Sequence, residues 1–125
     1  MQENELSQRI IGAAIEVHRY LGPGLLESAY EECLAYEFLQ REIPFERQKP
    51  LPVIYKEVRL NAGFRADFFV GDLVIVELKA VDQLARVHEA QVLTYLKLTH
   101  CKLGLLINFN VPLLKDGIRR LVLGL

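Results

Sequence analysis

The stretch from Arg65 to Ala80, RADFFVGDLVIVELKA, constrains this chain more than any other. Apolar and β-branched residues flank Gly71-Asp72, a pair suited to a hairpin turn. Yet Arg65, Asp67, Glu77 and Lys79 interrupt segments that otherwise read as core. Ionised side chains rarely enter a core unless they are paired or hold a metal. Side chains alternate across a strand, so Glu77 and Lys79 share a face, and the turn decides whether Asp67 joins them. A two-residue loop pairs Val70 with Leu73 and sets Asp67 against Val76, on the opposite face. A register centred on Asp72, from an odd loop or a bulge, sets Asp67 against Glu77. All four charges then share one face, and Ala66, Phe68, Val70, Val74, Val76 and Leu78 form an apolar one. The buried side sets the register, so the second arrangement is expected.

The rest of the chain supplies cover for such a hairpin. Ile10, Ala13, Ala14 and Val17 recur at helical spacing within Leu6 to Leu21. Gly22-Pro23-Gly24 breaks the chain, and a second helix is predicted from about Leu25 to Arg41, with Pro44 fixing its exit. Leu51 to Leu60, Phe64 to Val70 and Leu73 to Ala80, separated by Asn61-Ala62-Gly63 and Gly71-Asp72, read as a three-stranded antiparallel meander. A third helix is expected over about Leu84 to Leu98. The apolar run Leu103 to Phe109 suits a strand buried on both faces. Lys115 to Leu123 reads as a helical turn and a last strand. The order predicts an α/β domain, one mixed sheet with helices on its faces.

At 125 residues the expectation is one domain over 1–125. The composition, 51% hydrophobic and 25% charged, fits a soluble globular protein rather than a disordered one. No apolar run approaches the roughly 18 residues that span a bilayer. The acidic start, Met1 to Glu5, is unlike a secretory leader, and Cys33 and Cys101 lie far apart without a CxxC pair. Buried thiols in a reducing, cytoplasmic setting are expected. A net charge of −1 leans against the broad basic surface of a duplex binder. Any nucleic-acid surface must be local, drawn from residues such as Arg47, Lys49, Arg65, Arg86 and Lys97.

The charged cluster itself has two readings. One is a balanced set of pairs, Arg65 with Asp67 and Glu77 with Lys79. The other is a divalent-cation site, because converging carboxylates repel and raise a pKa unless a cation lies between them. Such hard oxygen ligands suit Mg²⁺ or Mn²⁺. A neighbouring lysine can orient a water and offset negative charge.

Asp67, followed by Glu77-x-Lys79 on the next strand, resembles the PD-(D/E)xK nuclease superfamily, with Ala66 where the full motif has proline. Gly24-Leu25-Leu26-Glu27-Ser28-Ala29-Tyr30 matches the signature of its GxxExxY protein family, and Val17-His18-Arg19, Leu21-Gly22-Pro23 and Leu103 to Phe109 are similar to that family too. Gln91-Val92-Leu93-Thr94-Tyr95 has the Q-x-x-x-Y spacing of RecB-like nucleases. The resemblance implies a restriction-endonuclease-like fold and metal-assisted phosphodiester hydrolysis. It assigns Asp67, Glu77 and the Leu78 backbone carbonyl to the Mg²⁺ or Mn²⁺ ion, with Glu27 reaching it through a water. Lys79 would position the attacking water. Gln91 and Tyr95, one helical turn apart, would orient Lys79 or a substrate phosphate, and Arg65 joins Tyr95 in binding substrate. Each has a plainer alternative: Glu27 as a helix-start carboxylate, Tyr30 as a core aromatic, Gln91 and Tyr95 as the polar edge of a helix.

The leading expectation is a nuclease acting on nucleic acid, DNA ahead of RNA, with specificity from a homodimer or a partner protein and no membrane association. The alternatives are a non-catalytic binding or regulatory module that retains the fold, and a metal-dependent hydrolase of a smaller phosphoester.

Overall fold

The computed structural model describes residues 2–61 and 63–125. Met1 and Ala62, part of the acidic start and of the Asn61-Ala62-Gly63 break, lie outside them. Two helices, α1 (Glu3–Leu21) and α2 (Glu27–Gln40), precede β1 (Phe45–Pro50), β2 (Val53–Tyr55), β3 (Val58–Leu60), β4 (Arg65–Val70) and β5 (Val74–Lys79). Helix α3 (Arg86–Thr99), β6 (Leu103–Asn108), a 3₁₀ turn (Leu114–Gly117) and β7 (Ile118–Val122) follow. Five strands form one mixed sheet in the order β1-β4-β5-β6-β7. Among the described residues only β5 and β6 run parallel, joined by α3 as the crossover such a pair requires.

The helices cover opposite faces. Ile10, Ala13, Ala14 and Val17 of α1 and Tyr30, Leu34 and Phe38 of α2 bury Phe68, Val70, Val74, Val76 and Leu78 of the hairpin. On the other face Tyr95 and Leu96 of α3 pack with Ile75, Cys101, Leu51 and Ala66. All of β6 is buried, as its apolar run predicts. At Gly104 a Cβ would meet Val92 Cγ1 at 2.6 Å, so glycine lets α3 approach the sheet closely. Cys101 is buried and Cys33 half-buried, and both are free thiols. Among the described residues no helix is long and apolar enough to cross a membrane.

The hairpin takes the register centred on Asp72: Val70 faces Val74, Phe69 faces Ile75 and Phe68 faces Val76. Gly71 and Asp72 both have left-handed backbones (φ 59° and 58°), and Leu73 N–H donates to Val70 O at 3.0 Å. A tight Gly-Asp turn is therefore present, and Leu73 is the extra residue that shifts the pairing by one.

Two expectations are corrected. The strand beside β4 is β1, with Phe45 opposite Val70 and Pro50 opposite Arg65, whereas Leu51 to Leu60 is not the third strand of a meander. The pairing runs through Pro50 to the Leu51 N–H, which donates to Phe64 O; Pro52 follows with no N–H to donate, and the residues beyond it fold back as a separate β2–β3 ribbon. Ala66 also leaves the apolar face assigned to it and buries on the α3 side. Strand parity breaks at Asp67: its opposite residue, Gln48, has φ 51° and drops out of the β1–β4 register between Arg47 and Lys49.

Candidate active site

Beyond Phe68 and Val76 the β4–β5 ladder gives way to side chains. Asp67 N–H donates to Glu77 Oε1 at 2.6 Å, and Leu78 N–H donates to Asp67 Oδ2 at 2.8 Å. Each carboxylate thus satisfies a backbone donor of the opposite strand, which locks both side chains across the diverging strand ends. Glu77 is only 5% exposed. Its carboxyl is pushed from 4.5 up to about 8, first by desolvation and then by the Asp67 charge, with the Asp67 N–H and Lys79 opposing and Glu27 adding to the rise. Desolvation likewise raises Asp67, against the Leu78 N–H; Glu31 adds to the rise, while Gln48 and Lys79 oppose it. Burial raises both carboxyls, and at Glu77 the crowding by Asp67 adds to it, as expected for converging carboxylates.

Glu27 is the first residue of α2, on a helix start with no side-chain cap. The loop before it is tied to the core. Tyr30 stacks on Phe109 with ring centroids 4.5 Å apart, and its hydroxyl donates to Gly22 O at 2.7 Å and accepts from Leu25 N–H at 3.2 Å. Gly24, at φ 98°, donates its N–H to Asn110 Oδ1 at 3.1 Å. Although Glu27 is exposed as a residue, its carboxyl is raised by desolvation, with Lys79 opposing and Asp67 and Glu31 reinforcing. Glu27 and Lys79 are thus electrostatically coupled to the pair.

Tyr95 is buried, and its hydroxyl is held above its usual range by desolvation and by the Glu77 and Asp67 charges, against a hydrogen bond with Gln91. Tyr95 thus lies within the influence of both carboxylates and of Gln91. Arg65 does not join them: its guanidinium donates to Gln48 O at 3.4 Å, and it forms no ion pair with Asp67 among the described residues. Glu77 and Lys79 form none either, so the balanced-pairs reading of the cluster is not what the chain adopts. Arg47 and Lys49, expected in a nucleic-acid patch, are engaged by Glu31 and Glu32 and by Glu46. His88 accepts from Ala85 N–H at 3.0 Å as part of the α3 cap.

Two neighbours escaped the sequence reading. Gln48 Nε2 donates to Glu31 Oε1 at 2.7 Å and to Asp67 Oδ1 at 3.2 Å. Glu31 stands one helical turn after Glu27, a spacing that signals a shared face; Gln48 carries no comparable signal. Buried Asn108 holds the chain just after Lys79, its amide bonding Val81 O at 2.9 Å and Val81 N–H at 3.0 Å.

The pattern of the PD-(D/E)XK nuclease superfamily matches residues 4–121. The chain belongs to this superfamily. No curated protein and no solved structure matches it. Its mixed five-stranded sheet between helices is the restriction-endonuclease-like fold of the PD-(D/E)XK nucleases, and a nuclease-type function follows from membership. Among the described residues no three His, Cys, Asp or Glu side chains are gathered tightly enough to form a complete cation cage. The donor set nonetheless fits a hard divalent cation: the buried carboxylate of Glu77, the half-buried one of Asp67 and the rim carboxylate of Glu27 leave the positions that Mg²⁺ fills with waters and phosphate oxygens.

Proposed function

We propose that this protein is a Mg²⁺- or Mn²⁺-dependent nuclease that hydrolyses phosphodiester bonds, in DNA ahead of RNA. The carrying observation is the reciprocal bonding of Asp67 and Glu77 across the diverging ends of β4 and β5. Asp67 and Glu77 would hold the cation, with the Leu78 carbonyl, and with Glu27 through a water. When bound, the cation supplies Lewis-acid stabilisation of charge on the phosphate and makes a water acidic enough to attack at neutral pH. Lys79 orients that water and offsets the negative charge that develops. Gln91 fixes the Tyr95 hydroxyl, and together they position Lys79 or a non-bridging phosphate oxygen. Glu27, raised toward neutrality by its setting, supplies a proton acceptor or donor at the rim.

Purified protein would be incubated with single- and double-stranded DNA and RNA in Mg²⁺ or Mn²⁺, beside Asp67→Asn and Lys79→Ala. Cleavage by the wild type alone supports the reading. Equal cleavage by all three proteins marks a contaminant and overturns it. Mn²⁺ binding without cleavage of any polymer would favour a smaller phosphoester substrate.

A further inference from the structure

The β2–β3 ribbon stands beside this site and has no cover. Among the described residues its strands pair only with each other, Val53 with Leu60, Ile54 with Arg59 and Tyr55 with Val58. Alternation puts Val53, Tyr55, Val58 and Leu60 on one face and Ile54 and Arg59 on the other. Tyr55, Val58 and Leu60 are 60%, 54% and 42% exposed. A two-stranded ribbon alone is marginal in water, and a contiguous exposed apolar patch marks a binding surface.

The ribbon is anchored where the chemistry is. Leu51 N–H donates to Phe64 O at 2.9 Å across its base, Leu51 is buried with Ala66 and Tyr95, and the Phe64 ring meets Tyr95 at 6.4 Å. The chain leaving β3 reaches Asp67 within β4. The segment from Val53 to Arg65 carries three cations, Lys56, Arg59 and Arg65, against one anion, Glu57, in a chain whose net charge is −1. Among the described residues none of the three cations forms an ion pair, unlike Arg47 and Lys49, and Lys56 Nζ lies 5.5 Å over the Tyr55 ring.

We infer that this ribbon grips the substrate and selects single-stranded or unpaired nucleic acid. The inference rests on the nuclease reading above and names its substrate class. A duplex offers phosphates but hides its base faces, so it would meet the cations and leave the apolar face bare. An unpaired strand offers both: bases stack on the Tyr55 face while phosphates meet Lys56, Arg59 and Arg65.

The test is fluorescence anisotropy of the full chain in EDTA, which prevents cleavage, with a labelled 20-nucleotide strand and the matching duplex. The wild type is expected to bind the single strand at least ~10-fold tighter. Tyr55→Ala should weaken single-strand binding by about 10-fold, within the range of one lost stacking contact. Lys56→Glu with Arg59→Glu should weaken both probes and lower the salt slope for the single strand by about 1.4. Thermal melting and Mn²⁺ titration should not change in either variant. Unchanged strand binding in both overturns the ribbon's role while leaving the nuclease reading intact, as does tighter binding of the duplex for the substrate class. If Val58→Asp turns a dimer into a monomer without altering strand binding, the patch is a self-interface and the inference fails. A wild type that neither binds nor cleaves any polymer removes both readings.

Discussion

The two ends of the β4–β5 hairpin solve the same hydrogen-bonding problem differently. At the turn end, backbone pairs with backbone, and Phe68, Val70, Val74 and Val76 are fully buried. Phe38, Phe45 and Phe68 close over that end with ring centroids 5.2–5.7 Å apart. At the open end the donors of Asp67 and Leu78 are met by carboxylates instead. An ordinary ladder bond is indifferent to pH and to cations. A bond to a crowded carboxylate is not, so the open end exchanges stability for responsiveness.

Several measurements would break or sharpen this contrast. The largest effect is expected for Lys79→Ala, which should lower cleavage by about 10³-fold with little change in melting temperature, consistent with losing an electrostatic and water-orienting group. Wild-type turnover in that variant would remove the lysine from the chemistry. Phe68→Ala should do the reverse, costing about 3–5 kcal/mol of stability by denaturant unfolding while leaving the stoichiometry of Mn²⁺ binding unchanged.

The pH response should come from the open end alone. Glu77 titrates near 4.5 in the unfolded chain and is pushed up to about 8 in the folded one. The folded form therefore keeps a proton that the unfolded form releases. Stability is greatest below the unfolded value and is lost as pH rises through the folded one, by roughly 3–5 kcal/mol in metal-free protein. Mn²⁺ should raise the melting temperature more at pH 8 than at pH 5, and Glu77→Gln should flatten the metal-free profile. A profile unchanged by Glu77→Gln would assign the pH response elsewhere. A smaller loss, about 1–2 kcal/mol, is expected for Tyr30→Phe, which removes the hydroxyl bonded to Gly22 O and Leu25 N–H. Cleavage falling further than stability would show that this loop positions Glu27.

Much of this site was legible because it follows from parity. Burial of Phe68, Val70, Val74 and Val76 admits one register, and that register places Asp67 against Glu77. The helices were legible from their apolar spacing, and β6 from its unbroken apolar run. Where reading failed, the cause was tertiary. Residues 45–50, with Glu46, Arg47, Gln48 and Lys49 in a row, carry no apolar alternation, yet β4 supplies a ladder partner and Glu31 and Glu32 hold Arg47. Residues 53–60 have stronger strand character but pair as a separate ribbon beyond Pro52, which has no N–H to continue the ladder. Gln48 reaches Asp67 only because its backbone turns left-handed there, which nothing in its neighbours announces.

By itself the sequence determined the superfamily, the apolar alternation that favours one hairpin register, and the residues available for acid, base and metal. Those properties are local, set by side-chain type and by a two-residue period. Only the tertiary structure decided how the carboxylates are satisfied, that Glu27 and Tyr95 stand beside them, and that Arg65 turns away. It also decided that the basic, apolar ribbon rises next to the site. These depend on where distant segments meet, and on the desolvation that meeting imposes, which no local pattern encodes.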